Sequence, residues 1–179
     1  MKDIDARQLL FVRQIHGSEA EVKYYIRGNA GWRLRGKGFA FIGKNGTGKT
    51  SEGDAKTPLG EFRALGAFGI LPDPGCALPY RRIIRGTVAC DAEGPHYNHI
   101  VQVREGDNIG GEKMWELSPE YDYGLETDYN SECIYPRGSA IFVHCKGAKS
   151  YTGGCIALDK HLMKKILMTA DSGLRISIQ

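Results

Sequence analysis

The chain lacks any apolar run long enough to cross a membrane. A membrane-spanning helix needs about 20 consecutive apolar residues, whereas the longest apolar run near the N-terminus is Leu9 to Val12. The residues before it are polar and mixed in sign, and no hydrophobic segment typical of a secretory signal follows them. The sequence therefore predicts neither a transmembrane segment nor a recognisable export signal.

Strong charge and a cysteine framework are also absent. The net charge is +3, and the basic residues are scattered rather than interleaved with aromatics, which argues against nucleic acid as a partner. Five cysteines at irregular intervals form no CxxC pair and no dense disulfide framework. Their odd number permits one free thiol, and it is open whether Cys90 and Cys133 pair.

Short runs rich in β-branched and aromatic residues dominate what is present. Gln8 to Ile15 and Glu21 to Arg27 flank a turn-like segment and predict a hairpin. One helix is expected near residues 159–171, with Asp159 as its N-cap, an apolar stripe along one face and Gly173 just past its end. A chain of 179 residues fits one domain, 1–179. We therefore predict a mainly β (α+β) domain.

The segment Gly43 to Thr50, GKNGTGKT, satisfies the P-loop pattern GxxxxGK[ST]. A P-loop holds phosphates because a helix begins at its lysine. Gly53, Pro58 and Gly60 oppose a helix here. A P-loop nucleotide-binding protein is therefore a disfavoured alternative function, and we expect the glycines to form turns and the lysines to be exposed to solvent.

The stretch Ser139 to Asp159 contains the strongest candidate for catalysis. A thiol with a pKa near 8.5 is mostly protonated at neutral pH, so a nucleophilic Cys155 needs a base, and His144 can be that base. Strand alternation places His144 and Cys145 on opposite faces, so Cys145 is expected to face away from the chemistry. The alternative is a buried, inert Cys155 and a histidine hydrogen-bonded to backbone.

Two glycines, Gly153 and Gly154, directly precede Cys155. Without side chains over this backbone, the N–H groups of Gly154 and Cys155 are expected to point at the oxygen of a carbonyl under attack. The thiol, the imidazole and these two donors together supply a nucleophile, a base and an oxyanion site.

Polar residues also precede the apolar run Ile100 to Val103. Tyr97, Asn98 and His99 are candidates for lining a substrate cleft. His96 and His99 lie three positions apart, which on a strand puts them on opposite faces, and Pro95 opposes a helix. The sequence therefore predicts no metal site and no cofactor.

The stretch Ser139 to Asp159 resembles the signature of the L,D-transpeptidase catalytic domain (YkuD type). In that family a strand histidine precedes a Ser/Thr-x-Gly-Cys motif, matched here by His144 and by Thr152, Gly153, Gly154 and Cys155. Upstream, TPLGEF at 57–62 resembles the family's TPxGxF motif, to which we assign a structural role. The resemblance implies a β-sandwich catalytic domain in which Thr152 steadies the loop and the backbone carbonyl of Cys145 orients the imidazole.

The resemblance also implies cysteine acyl transfer on peptidoglycan stem tetrapeptides. Cys155 would release the terminal D-alanine through a thioester and form 3-3 cross-links, or water would complete an L,D-carboxypeptidase cycle. Carbapenems are expected to acylate the same thiol. The implied location is extracytoplasmic, in the cell wall or periplasm, with an export signal or anchor that this sequence does not contain.

Three features depart from the family pattern. The interval from His144 to Thr152 is short, Gly153 replaces a common histidine, and Ala157 stands where an arginine often follows, which removes an expected clamp for a substrate carboxylate. A papain-like peptidase is disfavoured because the histidine precedes the cysteine and CGxCW is absent. A wall-binding module without catalysis is a further alternative.

Overall fold

A computed structural model describes residues 6–104, 106–107 and 109–179; residues 1–5, the first part of the expected domain, lie outside this range. The strands in chain order are β1 (Gln8–His16), β2 (Glu19–Gly28), β3 (Gly31–Phe41), β4 (Gly60–Gly69), β5 (Tyr80–Arg82), β6 (Thr87–Ala89), β7 (Ile100–Gln102), β8 (Glu112–Lys113), β9 (Gly124–Thr127), β10 (Phe142–Cys145), β11 (Ile156–Leu158) and β12 (Leu174–Ile178). The helix α1 spans Lys160–Leu167, and 3-10 turns cover Met114–Glu116 and Glu120–Asp122. In the described part of the chain, no helix has the length and apolarity needed to cross a bilayer.

Most strands belong to one sheet that closes on itself. Its order is β12-β1-β2-β3-β11-β10-β9-β4-β5, and β4 also pairs with β12. Closure is possible because β4 is long: its first residues, Gly60 to Arg63, pair with β12, and Ala64 to Phe68 pair with β9. The mainly β prediction is confirmed, but the expected sandwich of two layers is replaced by a closed sheet. A second sheet has the order β7-β6-β8.

The predicted hairpin and C-terminal helix are both present. Strands β1 and β2 pair antiparallel, and α1 buries an apolar stripe made of Leu162, Met163, Ile166 and Leu167. The helix ends at Leu167, earlier than expected, although the N–H groups of Met168 and Ala170 still donate to the carbonyls of Lys164 and Ile166 in a final turn. Asp159 occupies the N-cap position, but its carboxylate binds Lys146 at 3.2 Å instead of capping the helix.

Strand β10 is packed on both faces. Val143 and Cys145 point into the main core, whereas Phe142 belongs to a second cluster with Phe68, Met114 and Tyr121. The period-2 alternation of a strand accounts for this division. His144 therefore lies on the face of the second cluster, as the sequence predicts.

The P-loop alternative is wrong. No helix follows Gly43 to Thr50, and residues 50–59 are turns, bends and irregular backbone apart from a bridge between Thr57 and Thr47. Lys44 is exposed, but the Lys49 side chain is only 2% exposed and binds Asp54 at 2.9 Å. The expectation of two exposed lysines therefore fails at Lys49, and the helix N-terminus that would hold phosphates does not exist.

We expect the core of the closed sheet to dominate stability. Leu10 on β1 is fully buried, and Leu65 on β4 is 51% exposed. Leu10→Ala should lower the free energy of unfolding by about 2–5 kcal/mol because it leaves a cavity. Leu65→Ala, the same chemical change, should cost at most about 0.5 kcal/mol. Denaturant titrations of both variants measure this, and equal costs would contradict the assigned core.

Candidate active site

His144 is held in one orientation at the centre of β10. Its Nδ1 lies 2.7 Å from the carbonyl oxygen of Cys145, and because a carbonyl only accepts hydrogen bonds, Nδ1 carries the proton. Its ring stands edge-on to Tyr121, with centroids 5.3 Å apart. Burial lowers the pKa of His144. The imidazole is therefore neutral, with an unprotonated Nε2.

Cys155 lies on the same face of the sheet as His144. Strands β10 and β11 are parallel, with Val143 opposite Ile156 and His144 opposite Ala157. This register puts Cys155, one residue before β11, beside Phe142, and residues opposite each other on paired strands share a face. Cys155 and His144 both line a cavity of 340 Å³. The structure thus brings the predicted nucleophile and base to one cavity.

The half-buried thiol of Cys155 has two backbone partners. Its Sγ accepts the N–H of Phe142 at 3.3 Å and donates to the carbonyl of Ala140 at 3.1 Å. In this arrangement the thiol proton points at Ala140 rather than at His144. The hydrogen bond to Ala140 must therefore break before the thiol can pass its proton to the imidazole.

The Cys155 thiol is protonated at rest. Burial raises its pKa to about 12, and the nearby carboxylate of Glu112 adds to this, while the N–H of Phe142 and the ammonium of Lys49 oppose it. Burial also disfavours the imidazolium form of His144. The resting pair is a neutral thiol and a neutral imidazole.

The loop before the nucleophile is closed by Thr152. Its hydroxyl donates to the carbonyl of Cys155 at 2.7 Å and accepts the N–H of Gly154 at 3.1 Å. Thr152 therefore links its own end of the loop to Gly154 and Cys155. The same contact occupies the Gly154 N–H, so this group can serve as an oxyanion donor only if the hydrogen bond to Thr152 breaks.

The two loop glycines are not equivalent. Gly154 has φ +153°, and a Cβ there would lie 2.8 Å from the carbonyl oxygen of Lys56 and 3.0 Å from Ile141. At Gly153 a Cβ would meet nothing within 4 Å. The backbone therefore requires glycine at 154, whereas position 153 has room for a side chain.

Thr57, the first residue of the TPLGEF segment, anchors the nucleophile loop. It is fully buried, its hydroxyl donates to the carbonyl of Gly154 at 2.8 Å, and it accepts the N–H of Gly43 at 2.9 Å. The segment's structural role thus extends to the residue before Cys155. The sequence reasoning did not identify this contact, although the motif itself was the signal.

The structure places Tyr97, Asn98 and His99 outside the residues that line this cavity. The Tyr97 hydroxyl donates to Glu52 at 2.7 Å, and the Asn98 side-chain oxygen accepts the N–H of Ala140 at 2.9 Å. Nδ1 of His99 lies 2.9 Å from the Tyr97 carbonyl. Tyr97 and Asn98 hold the segment before β10 through the N–H groups of Gly138 and Ala140 rather than forming the cavity wall, whereas the contact of His99 with Tyr97 is local.

The cysteines other than Cys155 stand apart from the pair. Cys145 is fully buried, and its Sγ contacts the carbonyl of Tyr123 at 3.5 Å, so it faces away as expected. Cys90 and Cys133 are both free thiols.

Sequence reasoning missed several polar residues of the cavity. Lys49 and Glu52 come from the loop after β3, and Glu112, Glu120 and Tyr121 come from the segment between β7 and β9. The Tyr121 hydroxyl donates to Glu112, and burial raises the pKa of Tyr121 well above its usual value. The P-loop-like pattern drew attention to Lys49 but indicated the wrong environment.

Comparison with known proteins gives structural neighbours only. No protein-family model and no curated protein matches the chain. The structure is similar to Bd1075 of Bdellovibrio bacteriovorus, with a TM-score of 0.52, 14% identity, and coverage of 97% of this chain and 48% of that one. It is also similar to Pgp2, the helical cell shape determining protein of Campylobacter jejuni, with a TM-score of 0.51, 18% identity, and coverage of 98% and 48%.

An L,D-transpeptidase of Enterococcus faecium aligns more loosely, with a TM-score of 0.46 and 11% identity over 98% of this chain and 50% of that one. This last likeness is too distant to support an argument. The other two show a shared fold, and the chain spans about half the length of these solved structures.

Alanine at each of the two loop glycines should show that only position 154 requires glycine. We expect Gly154→Ala to lower the free energy of unfolding by about 1–3 kcal/mol, because alanine is strained at this φ and approaches the Lys56 carbonyl. Gly153→Ala should melt like the unmodified protein. Thermal unfolding of both variants tests this, and an unchanged melting temperature for Gly154→Ala would contradict the described loop.

Alkylation should report the protonation state of Cys155. Because burial raises the pKa of this thiol to about 12, the thiolate fraction should keep rising across about pH 6 to 10 without reaching a plateau. The rate of iodoacetamide labelling, followed on the Cys155 peptide by mass spectrometry, measures this. Labelling that levels off below about pH 8 would indicate a thiolate at rest.

Proposed function

We propose that the protein is a cysteine acyltransferase of the L,D-transpeptidase type, acting on peptidoglycan stem tetrapeptides outside the cytoplasm. The observation that carries the proposal is the placement of Cys155 and His144 on one face of two paired strands, in one cavity. The Thr152 to Cys155 motif supports it, as does the fold shared with a helical cell shape determining protein.

In the first half-reaction, Sγ of Cys155 attacks the carbonyl that precedes the terminal D-alanine. The thiol proton moves to Nε2 of His144, and the Cys145 carbonyl stabilises the imidazolium through Nδ1. Because both partners are neutral at rest, this proton transfer accompanies formation of the C–S bond. The N–H of Cys155 is the nearest expected donor to the oxyanion.

The tetrahedral intermediate then breaks its C–N bond. The amine of D-alanine takes the proton from Nε2 and leaves, and the acyl group remains as a thioester on Cys155. In the second half-reaction an acceptor amine attacks the thioester, gives up a proton through His144, and returns the free thiol. The product is a 3-3 cross-link.

Hydrolysis of the same thioester is the second candidate, which would make the protein an L,D-carboxypeptidase. The rim of the cavity favours access of water, because Lys149 and Tyr151 are exposed and the segment from His144 to Thr152 is short. Gly153 is exposed as well and adds no side chain over the thiol.

Acylation by a carbapenem tests the proposed nucleophile. Intact-mass spectrometry should show a single covalent adduct, which disappears in Cys155→Ser and persists in the matched control Cys133→Ser, since Cys133 is also a partly exposed free thiol but does not line this cavity. Absence of an adduct on folded, reduced protein would contradict the proposal.

Turnover of a stem tetrapeptide distinguishes a transpeptidase, a carboxypeptidase and a wall-binding module. With a stem tetrapeptide, the enzyme should release D-alanine, and an added acceptor strand should divert product from tripeptide to dimer if transpeptidation dominates. Tripeptide alone would identify a carboxypeptidase. Peptidoglycan binding without turnover, unchanged in Cys155→Ala, would identify a wall-binding module instead.

A further inference from the structure

Lys49 is a buried cation in the cavity that holds the nucleophile. Its side chain is 2% exposed and lines the same cavity as Cys155 and His144. Its Nζ lies only 3.6 Å from the point that a Cβ on Gly154 would occupy. The ammonium group is therefore adjacent to the residue that precedes the nucleophile.

The ammonium has hydrogen-bonding capacity that its protein partner does not use. An ammonium has three donors, and among the described residues Lys49 makes one side-chain hydrogen bond, to Asp54 at 2.9 Å. Asp54 also accepts the backbone N–H groups of Thr50, Ser51 and Lys56. These hydrogen bonds outweigh burial and hold the pKa of Asp54 at about 2. Asp54 is therefore charged, and its single negative charge is shared among four donors, of which Lys49 is one.

The donor peptide of the proposed reaction brings a negative charge to this place. Its terminal carboxylate is three bonds from the carbonyl carbon that Cys155 attacks, which is within roughly 4 Å. A group that recognises this carboxylate must therefore stand next to the nucleophile. Ala157, where the related enzymes often have an arginine, offers only a buried methyl group.

Among the charged groups of the cavity, Lys49 is the best candidate for binding the substrate carboxylate. The carboxylates of Glu52, Asp91, Glu112 and Glu120 line the cavity and would repel a substrate carboxylate. Lys149 also lines the cavity, but it is exposed at the rim, where water screens its charge. A charge-assisted hydrogen bond is stronger when it is shielded from water.

We propose that Lys49 binds the terminal carboxylate of the donor peptide and makes the enzyme select leaving groups that carry a free carboxylate. The inference rests on the proposed acyl transfer at Cys155. Lys49, which comes from a different part of the chain, thereby replaces the arginine that is missing at position 157. The surrounding carboxylates repel the carboxylate of the leaving group and so orient it toward Lys49.

Two donor peptides that differ only at the C-terminus test this assignment. One ends in a carboxylate and the other in a carboxamide, and kcat/KM for D-alanine or D-alaninamide release is measured for each. The unmodified enzyme should favour the acid by roughly 10- to 100-fold, the range of a charge-assisted hydrogen bond. Lys49→Met should bring this ratio close to one, Lys49→Arg should retain most of the preference, and Lys149→Met should leave the ratio unchanged.

Each remaining outcome counts against the assignment. Equal rates for acid and amide in the unmodified enzyme overturn it without any variant, so the test holds even if Lys49→Met does not fold. Loss of activity by the same factor on both substrates in folded Lys49→Met would show that Lys49 acts on the thiol or the loop instead. If neither peptide acylates Cys155, both the proposed function and the role of Lys49 are wrong. If both peptides acylate Cys155 at equal rates, only the role of Lys49 is wrong.

Discussion

The hydrogen bond from Nδ1 of His144 to the carbonyl of Cys145 is the contact on which the site depends. A carbonyl can only accept, so this bond fixes which imidazole nitrogen carries the proton and leaves Nε2 free to accept one. The strand makes this possible because its alternation sends the Cys145 side chain into the core while His144 faces the cavity. Packing on both faces of β10 holds the imidazole still, and the parallel register with β11 supplies the thiol on the same side.

A second group of contacts ties a distant loop to the nucleophile. The Thr57 hydroxyl joins the N–H of Gly43 to the carbonyl of Gly154, and Gly43 also forms a bridge with Thr152. A buried hydroxyl that is satisfied in both directions makes a rigid connection, because breaking either bond would leave a buried polar group without a partner. This connection brings Lys49 into the cavity and places a cation near a thiol whose own environment is otherwise apolar and acidic.

Local patterns in the sequence predicted the features that depend on neighbouring residues. Period-2 alternation separated His144 from Cys145, and the short apolar runs at 8–15 and 21–27 predicted the hairpin of β1 and β2. Features that depend on distant parts of the chain were not accessible in this way. Lys49 was expected at the surface, yet it is buried because its stem packs where Gly138 has no side chain and its ammonium group lies beside Gly154. The motif also gave no measure of the Cys155 pKa, because burial in the whole cavity and the Glu112 carboxylate raise it.

The protonation state of His144 is the central claim, because both half-reactions of the proposed mechanism pass a proton through its Nε2. Nitrogen NMR of the imidazole in the folded protein at neutral pH measures it directly. A neutral ring with a protonated Nδ1 and an unprotonated Nε2 is the predicted result. A protonated Nε2, whether in the other tautomer or in an imidazolium paired with a thiolate, would contradict it.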